Sequence, residues 1–88
     1  MVSEKVKIVN EMGFHMRPAN VFVTAMAKYS SDVNIIADGS SINGKSIMNI
    51  MAAGIKHGSE ITIECNGDDE QKMLDEAVDI IKNGFGEM

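Results

Sequence analysis

The stretch EKVKIVNEMGFHMRPANVFVTAM, residues 4–26, changes its period part-way along. Val6 and Ile8 alternate with Lys5 and Lys7, the two-residue repeat of a strand buried on one face. Gly13 interrupts the run. From residue 16 onward, Ala19, Phe22, Val23 and Met26 fall at helical spacing, so residues 16–28 are expected to form an amphipathic helix. Pro18 fits only in the first turn of that helix, where its missing N–H costs nothing. A half-buried strand that passes through a glycine into a helix excludes an all-β or all-α chain.

The rest of the sequence extends the same pattern. SDVNIIA, residues 31–37, reads as a second strand with Val33 and Ile35 inward. Asp38-Gly39 is a turn signal, and a short third strand over 40–43 completes a hairpin. Asn43-Gly44 turns again, and Ser46 stands as N-cap of a short helix, IMNIMAA, that Gly54 ends. EITIEC, residues 60–65, alternates with Ile61, Ile63 and Cys65 inward. Met73, Leu74, Ala77, Val78 and Ile81 form the apolar stripe of a last helix, closed by Gly84. The order is β-α-β-β-α-β-α. Clean alternation suits an antiparallel sheet with one face in water, its helices gathered on the other. The fold class is α+β, an open-faced β-sandwich, expected to occupy residues 1–88 as a single domain.

Composition narrows the function. With 8 Lys and Arg against 13 Asp and Glu, the chain carries a formal charge of -5, the wrong sign for general nucleic-acid binding. The one cysteine allows neither an internal disulfide nor a cysteine-based metal motif. Neither a metal nor a cofactor is expected. The N-terminus mixes charge with apolar residues, unlike a signal peptide, and no apolar run approaches the roughly 20 residues of a membrane span. A cytoplasmic protein, not inserted in a membrane, is the simplest expectation.

His15 is one of two histidines. A lone surface histidine is usually a solvated side chain or a cap. This one precedes a helix whose first N–H groups point outward unpaired, at the positive end of the helix dipole. Pro18 withholds its own N–H, so the nearest free amides are those of Met16 and Arg17. Arg17 adds a cation able to bind an anion with two hydrogen bonds. The positive end disfavours imidazolium, so the ring stays a neutral nucleophile. A nucleophile inside an anion cradle suits a histidine that accepts a phosphoryl group and hands it on. Hydrolysis fits less well, because no plausible second acid or base lies near this site in sequence.

GFHMRPA and GKSIMNIM together resemble the histidine-containing phosphocarrier (HPr) family of the sugar phosphotransferase system. Gly13, His15, Arg17, Pro18 and Ala19 match its phosphorylation motif. The position after the histidine, commonly Ala or Thr, is Met16 here, which adds a flexible apolar side chain beside the site. The resemblance spans the whole chain and implies a four-stranded antiparallel sheet in the order 1-4-2-3 with three helices on one face. It implies that His15 takes phosphate on Nδ1 from the phosphohistidine of enzyme I, originally from phosphoenolpyruvate. The phosphate then passes to sugar-specific enzyme IIA domains, with Arg17 steadying its charge. A carrier of this kind has no turnover of its own and is expected to be a monomer, free to show one surface to successive partners.

Ser46 as a helix cap needs no further explanation than about 1 kcal/mol of stability. The resemblance adds another role. In Gram-positive relatives, whose form GKSIM resembles more than the enteric one, the matching serine is phosphorylated by HPr kinase/phosphorylase. The phosphoserine form then partners the catabolite control protein. About two negative charges at a helix N-terminus are tolerated there and repel an acidic partner. On the short helix, Ile47, Met48 and Met51 share one side and Ile50 lies on another. The family's docking patch falls here, so Ile47, Met48 and Met51, joined by Met16 and Asn20, are expected to meet partners. His57 reads as a solvated cation, Cys65 as a small inward residue, and Asp68, Asp69 and Glu70 as a capped first turn. The competing function is a regulatory module of the same fold acting through phospho-Ser46; relatives of that kind lack the active histidine. A small metal- or RNA-binding domain is disfavoured by the charge, the lone cysteine and the distant histidines.

Overall fold

The computed structural model describes residues 1–87. Its elements follow as β1 (Val2–Lys7), α1 (Met16–Met26), β2 (Asp32–Ala37), β3 (Ser40–Asn43), α2 (Ile47–Ala53), β4 (Glu60–Asn66) and α3 (Glu70–Lys82). One 3-10 turn, Gly84–Gly86, comes after α3. The strands form a single antiparallel sheet in the order β1-β4-β2-β3, which periodicity alone does not reveal and the family resemblance implied.

Register explains the alternation. Val6 pairs with Ile61, and Ile35 with both Ile63 and Ile42, so the apolar positions of all four strands line one face. Phe22 and Met26 of α1, Ile50 of α2, and Met73 and Ile81 of α3 are fully buried in the same core. The opposite face carries Lys5 beside Thr62, and Asn34 between Glu64 and Asn43. No helix among the described residues is placed over it. Cys65 is buried among the apolar strand residues, and that burial, ahead of nearby Glu70 and Asp69, pushes its thiol up to about 11. Such a thiol is inert near neutral pH.

Local chemistry sets the element ends. Asp38 and Gly39 both have positive φ, 50° and 79°, the pair that a tight two-residue hairpin demands. Ser46 caps α2 through its Oγ, which accepts from the Asn49 N–H at 3.2 Å, and Gly54 ends the helix at φ 63°. Helix α1 is shorter than its apolar spacing predicts, stopping at Met26 rather than 28. The N–H groups of Lys28 and Tyr29 donate to Ala25 and Met26 three residues back, so the chain tightens and leaves the α path.

The acids before α3 also behave differently from a simple cap. The side chain of Asp69 makes no bond to its own helix. Its carboxylate accepts instead from the Ser30 and Ser31 N–H groups at 3.0 and 2.9 Å and from the Ser31 hydroxyl, tying the loop before β2 to the start of α3. Glu70 does the local capping, accepting from the Gly67 N–H at 3.1 Å.

Candidate functional site

The loop between β1 and α1 is bolted in place before its histidine is reached. The Gly13 N–H donates to Asn10 O at 3.1 Å, and the Phe14 N–H donates to Ile55 O at 3.0 Å. Gly13 sits at φ 70°, and a Cβ there would lie 2.8 Å from Ile55 O and 2.9 Å from His57 N. Only glycine fits that pressed, left-handed position. Phe14 is buried next, edge-on to Phe22 with ring centroids 5.5 Å apart. His15 follows as the N-cap residue of α1, in extended conformation, and its carbonyl accepts from the Ala19 N–H at 2.9 Å. The amides of Met16 and Arg17 therefore open the helix, with Pro18 buried in its first turn.

The His15 side chain does not cap its helix. Its Nε2 lies 3.0 Å from Glu87 Oε2 and 3.3 Å from Oε1. The same carboxylate accepts from Asn10 Nδ2 at 2.9 Å, and Nδ2 also donates to Gly13 O at 2.7 Å. Asn10 is 1% exposed. The Asn10 amide first, then His15, with Arg17 adding positive field, holds the Glu87 carboxyl below the usual carboxylate range. Asn10, Glu11, Met12, His15, Arg17 and Glu87 line one shallow open depression.

Glu87 is the residue that sequence reasoning missed. It stands 72 positions from His15, and nothing local in its neighbourhood marks it. Phe85 brings it there. That side chain is buried against Phe14, with ring centroids 4.8 Å apart, and the backbone at Phe85 takes φ 57°. A bulky residue in that region is uncommon, and the buried ring holds it there.

The other expected site residues fall into two places. Arg17 and Asn20 are exposed on α1, and Met16 is 60% exposed beside His15. On α2, Met48 is 82% and Met51 37% exposed, while Ile47 is half-buried against the core and Ile50 fully buried. Helices α1 and α2 are in contact. His57 is exposed and does not line the depression around His15, although its backbone N packs against Gly13.

A family profile described as "PTS HPr component phosphorylation site" matches residues 2–83, which include the histidine at the start of α1. The chain belongs to the HPr family. The HPr of Mycoplasma capricolum is 45% identical over 75 residues, 85% of this chain and 80% of that protein. The HPr-like protein Crh of Bacillus subtilis is 39% identical over 75 residues, covering 85% and 88%. A crystal structure of an HPr from Thermoanaerobacter tengcongensis superposes with a TM-score of 0.96 at 38% identity, covering 100% of this chain and 99% of that one. The chain is thus a phosphocarrier of the phosphotransferase system, an intermediate in a relay rather than an enzyme with its own turnover. No helix among the described residues is long and apolar enough to cross a membrane, as suits an HPr.

Proposed function

We propose that His15 is the residue that carries the phosphoryl group, on Nδ1, between phospho-enzyme I and sugar-specific enzyme IIA domains. The observation that carries this reading is the division of the imidazole. Nε2 is engaged by Glu87, whereas Nδ1 has no hydrogen-bond partner among the described residues. Arg17 and the opening amides of α1 supply the cationic surroundings that a phosphoryl group needs. The group stays near the surface, so it is held by few ligands and easily released. Met16, Asn20, Ile47, Met48 and Met51 form the docking face for both partners, and a monomer in the cytoplasm leaves that face open.

Ser46 is the regulatory position. HPr kinase/phosphorylase phosphorylates it, and the catabolite control protein binds the product. The capping geometry supports this reading, because a phosphate there adds charge at a helix N-terminus without breaking the core. Likeness to Crh favours a second reading, a regulatory module acting through phospho-Ser46 alone, with His15 idle.

Incubation with phosphoenolpyruvate, Mg²⁺ and a Gram-positive enzyme I separates the two readings. The carrier acquires an acid-labile, base-stable phosphate that His15→Ala abolishes. A folded wild type that stays unphosphorylated in that mixture, but accepts phosphate from ATP and HPr kinase, is the regulatory module.

A further inference from the structure

Resting on the reading of His15 as the phosphoryl acceptor, we propose that the Glu87 side chain is a positioning residue for the transfer. It holds the Nε2 proton of His15, so that Nδ1 presents its lone pair, and it balances the positive charge the ring acquires on phosphorylation.

A carboxylate only accepts hydrogen bonds, so an Nε2 at 3.0 Å from Glu87 Oε2 must carry a proton. A neutral imidazole has one N–H. With that proton on Nε2, Nδ1 is left as the basic, nucleophilic nitrogen. The carboxylate is itself oriented. Asn10 Nδ2 grips Oε1 at 2.9 Å. The alternative orientation of the Asn10 amide would set its oxygen against both Gly13 O and Glu87 Oε1, three acceptors with no donor between them. The carboxylate carries its charge through the neutral pH range, since its pKa is lowered and not raised.

The transfer then balances without a free proton. The Nδ1 lone pair attacks phosphorus in an N–P donor. The donor's N–P bond breaks, and its electron pair returns to the donor nitrogen. The Nε2–H bond persists, so His15 becomes a phosphoimidazolium, and the positive charge faces Glu87. Discharge to an acceptor nitrogen runs through the same steps in reverse. A carboxylate behind an imidazole plays the same part where it orients other catalytic histidines and stabilises the imidazolium that forms.

The test compares Glu87→Gln with Glu87→Ala in the full chain. Asn10 would continue to donate to the Gln oxygen, which turns the Gln NH₂ group toward His15. That donor needs a lone pair on Nε2, and so it moves the proton to Nδ1. Nitrogen-15 spectra of the His15 ring read the tautomer, and phosphoramidate, a small N–P donor, reads the intrinsic transfer rate without partner docking. In wild type the Nε2–H form should dominate. Glu87→Gln should raise the Nδ1–H form and slow phosphorylation by about fivefold, the scale of a partly exposed charge pair. Glu87→Ala should fall between the two. A merely structural role predicts the opposite order, with the near-isosteric Gln harmless and Ala worse. That order, or variants that keep the wild-type tautomer and rate, overturns the proposal, as does phosphate found on Nε2 of the wild-type ring. If phosphoramidate and enzyme I both leave wild-type His15 unmodified, the carrier reading fails, and the Glu87 proposal falls with it whatever the tautomer.

Discussion

Phe85 lies against Phe14 with ring centroids 4.8 Å apart and planes tilted by 41°, so the last turn of the chain is fastened to the residue just before His15. Phe14 in turn meets Phe22 of α1 nearly at right angles, 84°. The three rings join the histidine loop, its helix and the segment that delivers Glu87.

Phe85→Ala removes the outer ring of that row. Truncating a buried Phe typically costs about 3–5 kcal/mol, less where the site can collapse. Urea unfolding should show a loss of about 3 kcal/mol. The His15 ring signals should also move, because Glu87 loses its support. Unchanged His15 signals would show that Asn10 alone places the carboxylate.

Met48→Glu is the test of the docking face. Its side chain is 82% exposed, so unfolding free energy should change by no more than about 0.5 kcal/mol. Binding to enzyme I, followed by calorimetry, should weaken at least tenfold through a charge placed in an apolar contact. Ile50→Ala makes the contrast: fully buried on the same helix, it should cost about 2–5 kcal/mol.

Ser46→Ala loses the Oγ that accepts from Asn49, and thermal unfolding should register about 1 kcal/mol. Ser46→Asp keeps an acceptor at the cap and should fold as well as wild type. It should nevertheless accept phosphate from enzyme I more slowly. Equal rates for Ser46→Asp and wild type would sink the electrostatic account of Ser46 regulation.

The acid limb of stability should carry the mark of Asp69. The Ser31 hydroxyl first, then the Ser30 N–H, with the Ser31 N–H adding to them, brings its carboxyl down to about 2. The folded state therefore binds this proton less readily than the unfolded chain, whose Asp titrates near 4. The resulting stability is complete above that value and disappears as the pH falls through about 2. Asp69→Asn should be less stable than wild type at pH 7, with the gap closing toward pH 2. A gap independent of pH would assign the role of Asp69 to geometry rather than charge.

Most elements were legible because each carried its own local signal. Alternation marked β1 and β4, Asp38-Gly39 marked the hairpin, and Ser46 with Gly54 bracketed α2 to the residue. The end of α1 had no such punctuation: no Gly, Pro or Asn stands between Met26 and Tyr29, and the helix stops through a tightening of its bonds. Sheet order has no local signature, since the same alternation serves any neighbour; it came through family likeness. The site was legible only on one side. His15, Arg17 and Pro18 announce a helix start, whereas Asn10, Phe85 and Glu87 acquire meaning only when the loop between β1 and α1 meets the segment after α3. Asp69 does stand at the N-cap of α3, as the capped first turn required, but its bonds to Ser30 and Ser31 were not legible for the same reason, those partners lying 39 and 38 positions away.

The described helices α1, α2 and α3 sit on one side of the sheet, and His15, Ser46, Met16, Met48 and Met51 belong to that layer or to the loops entering it. Lys5, Thr62 and Asn34 belong to the bare side. A fluorophore or surface tether attached there, through a cysteine introduced at Lys5, would leave His15 and Ser46 clear. Cys65, already buried, would not compete for the reagent. The sheet's empty face thus makes the protein immobilisable: a relay component that can be fixed to a sensor while its partners arrive and leave from the other side.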